Sequence, residues 1–214
     1  MTDFARLMSD YFVKYLAGQK GSGSNTMKTY RDTFVQLLEF MDEKKHIRAD
    51  CIEVDSFSYD IINEFLEYLE KEKRVSISTR NNRLAAIRSF FKYTGYHEPK
   101  YLNISTSIRE ISKKKTEGRQ MNYLSVNAME HFLNSFDKTD HKELRCFCIV
   151  LLLYESGARV TELCNVRRYD LHLEKPYTMI LHGKGDKIRS VPLDGLVADV
   201  ISNYIQKYRV DDND

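Results

Sequence analysis

Two short segments in the last third of the chain hold the residue types best suited to chemistry. The first is Ser156-Gly157-Ala158-Arg159-Val160-Thr161-Glu162-Leu163. The second is Gly183-Lys184-Gly185-Asp186-Lys187-Ile188-Arg189, followed by Val191-Pro192-Leu193. Arg159 supplies a planar guanidinium, always charged, whose fork matches two oxygens of a phosphate. It follows a glycine at a helix start, where unpaired backbone N–H groups also favour anions. Glu162 lies three residues on, on the same helix face, and can hold that guanidinium in place. Lys184 sits between two glycines at a hairpin tip, an ammonium on a mobile support. A fixed guanidinium with a mobile ammonium suits a phosphate centre that gathers charge and needs a proton for its leaving oxygen. Lys187 and Arg189 alternate on the returning strand and so share a face. They read either as phosphate contacts or as a solvated edge strand.

These segments resemble a known pair. The first is similar to the T-G-x-R-x-x-E-L motif of tyrosine recombinases, the phage-integrase family, and the second to that family's G-K-G-x-K-x-R-x-V-P-L hairpin. Thr79-Arg80-Asn81-Asn82-Arg83-Leu84 with Arg88-Ser89-Phe90-Phe91-Lys92-Tyr93 resembles the last helices of its core-binding domain. Tyr123-Leu124-Ser125 resembles the approach to its catalytic domain. Four motifs in the family's order are far more specific than any one of them. The resemblance implies a mainly α fold with a small α+β part: an N-terminal helical bundle (a SAM-like core-binding domain), then part of a catalytic domain with an antiparallel β-hairpin. It implies DNA strand cleavage and rejoining through a 3′-phosphotyrosyl intermediate, with no metal, nucleotide or other cofactor. The implied partner is double-stranded DNA, enclosed by two domains and worked on by a homo-tetramer. Arg159 and Lys184 become catalytic residues, Lys184 as the acid that protonates the 5′-oxygen.

The sequence departs from the pattern after the hairpin. The family continues with H-x-x-R, a further His or Trp, and the tyrosine nucleophile. No His-x-x-Arg occurs after Lys184, and no histidine follows His182. Tyr204 and Tyr208 fit a helical stripe with Val200, Ile201 and Ile205, which is the pattern of packing residues. These 214 residues are therefore expected to bind DNA, to be catalytically incomplete by themselves, and to be monomeric in free solution. Two other classes remain open: a naturally short DNA-binding competitor or architectural factor, and a helical protein-binding scaffold with solvated basic faces.

The elements that must position these groups are mostly helices. The chain is 42% hydrophobic and 30% charged, with three prolines and nine glycines, as in an ordinary globular protein. Thr2 can cap a helix with Phe4, Leu7, Met8, Tyr11, Phe12 and Tyr15 inward, before a break at residues 18–24. Asn25 or Thr26, Ser58, and Ser76 or Ser78 open three more, the last ending near Gly95. Residues 1–104 thus read as a helical bundle, which the resemblance makes the core-binding, DNA-binding domain. Residues 105–120 carry five basic and two acidic side chains without a long apolar stripe, and read as a basic linker. Residues 121–214 begin the catalytic domain. Ser125 and Asp140 cap helices there, residues 158–166 form a short helix, residues 177–181 and 187–191 pair as a hairpin, and residues 196–208 return to helix.

The formal net charge is only +2, but it is segregated. Residues 36–70 hold ten acidic and three basic side chains, whereas residues 71–93 hold seven basic and one acidic. One surface for a polyanion and one for solvent would produce this, as would a solvated charged helix. Arg80, Asn81, Asn82 and Arg83 are the candidates for entering a groove, touching base edges or phosphates alone. Lys113, Lys114 and Lys115 are candidates for lying along a backbone. Cys51, Cys146, Cys148 and Cys164 lack zinc-type spacing, so a metal site is not expected, and they read as reduced core thiols of a cytoplasmic protein. The longest apolar run, Cys146 to Tyr154, is too short to cross a bilayer.

Overall fold

The structure is a computed structural model that describes residues 1–116, 118, 122–183, 185 and 187–208. The chain divides into two compact units, Met1–Arg119 and Gln120–Asp214. No helix among the described residues is long and apolar enough to cross a membrane.

The first unit is helical throughout. Helix α1 (Asp3–Asp10) starts where Thr2 accepts a hydrogen bond from the Ala5 N–H, and it continues into a π-helical segment, Tyr11–Gln19. Helix α2 (Ser24–Lys45) begins one residue before the expected start and stops at His46, which takes a left-handed conformation. Ser58 caps α3 (Tyr59–Lys71), and Ser76 caps α4 (Ile77–His97). The apolar stripes meet in one aromatic core. Phe90 lies edge-on to Phe4, Tyr11, Phe34 and Phe91, with ring centroids 5.2–5.6 Å apart. Such geometry suits the ring quadrupoles and adds to the burial of each ring.

The linker expectation needs correction in its first part. Residues Leu102–Glu110 form helix α5, with Ser105, Ile108 and the following Ile111 buried. Gly95 is the reason: it does not stop α4 but lies within it. A Cβ there would stand 2.7 Å from the Ser105 Cβ, so only glycine allows α5 to lie so close against α4. About one buried position per turn of a short helix, one of them a serine, leaves no long apolar stripe in the sequence, which is why this segment reads as irregular.

The second unit has its own smaller core. Helix α6 (Val126–Asn134) is capped by Ser125, and α7 (His141–Ser156) by Asp140, whose carboxylate accepts from Lys142 and Glu143 N–H. Gly157, at φ 58°, ends α7 in the left-handed conformation that favours glycine. Helix α8 spans only Val160–Leu163, shorter than the expected 158–166. The sheet has three antiparallel strands in the order β1 (Leu171–His172), β2 (Thr178–His182), β3 (Ile188–Pro192), with Ile180 opposite Ser190 and Leu171 opposite Met179. Two residues are too few to show a period of two, so β1 was invisible in the sequence. Helix α9 (Gly195–Tyr208) closes the unit, burying Val197 and Ile201 with Phe147, Leu152, Met179 and Leu181.

All four cysteines are free, but Cys148 is the buried one. Burial raises its thiol to about 11. Cys51, Cys146 and Cys164 are exposed, so the expectation of core thiols fails for them. Cys146 lies two residues before Cys148, a step of about 200° round the helix that carries it to the opposite face.

Candidate phosphate-binding site

The centre of the candidate site is Glu162. Its side chain is 3% exposed, and its carboxylate collects four hydrogen bonds. Two come from Arg159: the backbone N–H at 2.9 Å and Nη1 at 2.6 Å. Two come from Arg189: Nη1 at 3.2 Å and Nη2 at 2.8 Å. Arg159 occupies the cap position of α8 in extended conformation, so its side chain leaves the helix start and remains 71% exposed. One guanidinium edge is fixed on Glu162 while the rest faces outward, free to grip oxygens.

The electrostatics follow from this geometry. Hydrogen bonds from Arg189, then from the Arg159 backbone and side chain, outweigh the penalty of burial and hold the Glu162 carboxyl down to about 2. The same pair raises the Arg189 guanidinium above its usual value. The carboxylate is therefore ionised at any working pH and acts as a fixed anchor, not as an acid or base.

The β2–β3 turn comes to this anchor. The Gly183 N–H donates to the Lys187 carbonyl at 2.7 Å, and a Cβ on Gly183 would meet Glu162 Oε1 at 3.3 Å and the Lys187 carbonyl at 3.2 Å. Glycine is what lets the hairpin backbone approach the carboxylate. Lys184, next in the chain, lies outside the described residues. Lys187 precedes β3 and is exposed.

Arg189 has a partner that the sequence reading did not foresee, the Glu162 carboxylate. It pairs with Leu181, and the neighbouring pair is Met179 with Val191, so its side of the sheet faces the core. Its guanidinium donates to Glu162 through both Nη1 and Nη2, while its side chain stays 42% exposed. Lys187 lies just outside β3, and the buried Glu162 carboxylate that Arg189 meets is not readable from the alternation.

The first unit redistributes the other candidates. Arg80 is only 5% exposed, and it is held by Glu70 at 3.1 Å, the Ser112 carbonyl at 3.2 Å and Asn81 at 3.3 Å. A groove-reading role for Arg80 is therefore overturned. Asn81 is also occupied: its amide donates to the Lys114 carbonyl at 2.8 Å and accepts from the Lys114 N–H at 3.1 Å. Arg83 turns back onto α2, donating to the Thr29 carbonyl at 3.0 Å and Thr33 at 3.2 Å. Lys114 pairs with Glu70 at 2.8 Å. Asn82, Lys113 and Lys115 remain exposed. The basic run at residues 80–83 is thus largely a structural clasp that fastens the residues after α5 to α4.

Tyr204 and Tyr208 behave as packing residues. Tyr204 stacks on His141 with centroids 6.2 Å apart, Tyr208 meets the same ring at a tilt with centroids 4.3 Å apart, and Tyr204 packs against the second core.

Residues 122–214 match the family profile described as the phage integrase family, and residues 10–99 match the phage integrase N-terminal SAM-like domain. The chain is 27% identical to a putative integrase/recombinase, y4rC, of Sinorhizobium fredii (strain NBRC 101917 / NGR234), covering 95% of this chain and 61% of that one. It is likewise 27% identical to the tyrosine recombinase XerC of Staphylococcus aureus (strain USA300 / TCH1516), covering 94% and 64%. Among solved structures, the XerH site-specific recombinase in a post-cleavage complex with palindromic difH substrate superposes with a TM-score of 0.64 at 23% identity, covering 94% of this chain and 56% of that one. The Tn1549 transposon integrase with transposon right-end DNA gives 0.66 at 19%, covering 97% and 65%. The chain thus spans about three fifths of the length of such relatives.

Proposed function

Because this chain belongs to the phage integrase family of tyrosine recombinases, we propose that it binds duplex DNA in the cytoplasm and supplies part of the pocket in which one phosphodiester is cleaved and rejoined. In the whole protein a tyrosine oxygen attacks the phosphorus, the bond to the 5′-oxygen breaks, and the DNA 3′ end is left on the tyrosine. Arg159 holds the non-bridging oxygens as negative charge gathers on them. Lys184 delivers a proton to the departing 5′-oxygen. Glu162 positions Arg159, and Arg189 holds Glu162, so the reaching guanidinium needs little reorganisation as charge develops.

The observation that carries this reading is the shared carboxylate. A single buried Glu162 joins the start of α8 to β3 and lies against the residue that precedes Lys184. Arg159 and the hairpin carrying Lys184 are therefore tied to one anchor. A surface ion pair would need neither the burial nor the second arginine.

The test has two stages. The chain is titrated with duplex DNA by mobility shift at several salt concentrations, where affinity should fall linearly on a log–log plot as counterions are released. A full-length protein is then given a nicked suicide substrate, with and without Arg159→Ala. Normal covalent trapping by the alanine variant would sink the assignment of Arg159.

A further inference from the structure

The first unit carries a basic depression that the motifs touch only in part, through Arg88 and Lys92, with Lys113 from the basic segment after α5. Tyr15, Lys20, Arg88, Lys92, Arg109 and Lys113 line an open hollow of about 500 Å³, together with Ala85 and Ser89. Its lining includes five cations and no carboxylate. Many other cations of the unit are already neutralised by a neighbour. Arg6, Lys44, Lys45, Lys71, Lys100 and Lys114 each sit against an acidic side chain. None of the five lining cations forms an ion pair among the described residues.

The fold assembles this cluster from three places. Arg88 and Lys92 are one helical turn apart on α4, with Ala85 and Ser89 on the same face. Ser89 is fixed by the buried Tyr11, whose hydroxyl donates to it at 2.8 Å. Because Gly95 lets α5 fold back along α4, the end of α5 returns to Arg88, whose guanidinium donates to the Arg109 carbonyl. That contact places Arg109 and Lys113 beside Arg88 and Lys92. Lys20 closes the rim, its ammonium 6.0 Å from the centre of the Tyr15 ring. Like charges gathered around one hollow repel one another, and a bound polyanion removes that repulsion.

We propose that this hollow is a backbone-phosphate clamp for duplex DNA, with Lys20, Lys92, Arg109 and Lys113 as the contacting cations. Arg88 acts as a positioning residue that ties α5 to α4. The inference rests on the DNA-binding reading above and deepens it. The clamp would fix the register of the unit on the duplex and carry no sequence information.

The test compares Lys92→Gln/Lys113→Gln with Lys44→Gln/Lys71→Gln in the whole chain, so that both variants lose the same net charge. Both target exposed tips, and Arg88 is left intact to protect the fold. The clamp variant should reduce the slope of log affinity against log salt by about 2. That is about a tenfold smaller spread in affinity between 50 and 200 mM salt, equal on specific and random duplexes. The control variant should keep the wild-type slope. Equal slopes for the two variants overturn the clamp while leaving the DNA-binding reading intact. Failure of the wild-type chain to shift any duplex at low salt overturns both. A parallel titration with inorganic pyrophosphate distinguishes the source of the anion. Saturable binding of it at micromolar concentration, with duplex affinity unaltered in the clamp variant, would identify a small-anion site and refute the clamp.

Discussion

Replacing Arg80 separates a structural arginine from a DNA-reading one. Arg80→Met keeps the buried aliphatic stem and removes the guanidinium. Three hydrogen bonds are lost: to Glu70, to the Ser112 carbonyl and to Asn81. Glu70 keeps Lys114 and is 21% exposed, so it is not left as a bare buried charge. Ser112 lies at the surface, where water can replace the lost donor. Both facts place the cost below the range for breaking a fully buried pair, at about 2 kcal/mol. At about 2.1 cal/mol/K of unfolding entropy per residue, a unit the size of Met1–Arg119 should melt about 8 °C lower. Differential scanning calorimetry measures this directly. DNA affinity, measured well below the transition, should stay within about twofold, since a lost base contact would instead cost about 1–3 kcal/mol of discrimination. A variant with unchanged melting and tenfold weaker binding to its specific duplex would refute the argument and restore Arg80 as a reader.

Three further outcomes are expected. Arg159→Ala in a full-length protein should slow strand cleavage by about 10²–10³ while changing duplex affinity little, as judged by covalent trapping alongside mobility shift. Glu162 is held from its usual 4.5 down to about 2 in the folded state, so its contribution is complete above 4.5 and is lost as pH falls from there toward 2. Melting followed over that range should therefore show a pH-dependent decline in the second unit that Glu162→Gln lacks; identical profiles would dismiss the anchor. Gly95→Ala would stabilise an isolated helix by about 0.5–1 kcal/mol, but the 2.7 Å approach to Ser105 reverses the sign, and a loss of about 1–3 kcal/mol is expected by urea denaturation. Pairing it with Ser105→Gly, which vacates the space, should recover most of that loss.

The sequence by itself determined the local elements and the Arg159–Glu162 pairing. Caps such as Thr2, Ser58, Ser125 and Asp140 act on the next few N–H groups, so their meaning is contained within a single turn. The Arg159–Glu162 pair is equally local, three residues apart on one short helix, and its motif spacing survives without any fold. Tertiary structure alone decided which charges are free. Arg80, Asn81, Arg83 and Arg189 look the same in the sequence as Lys92 and Lys113, but their partners at Glu70, Lys114, Thr29 and Glu162 lie 10–54 residues away. Helix α5 shows the same limit, because Gly95 reads as a stop until Ser105 is seen against it. The physical reason is that a side chain's type sets what it can bind, whereas desolvation and the nearest opposite charge set whether it is already bound, and both come from residues remote in the chain.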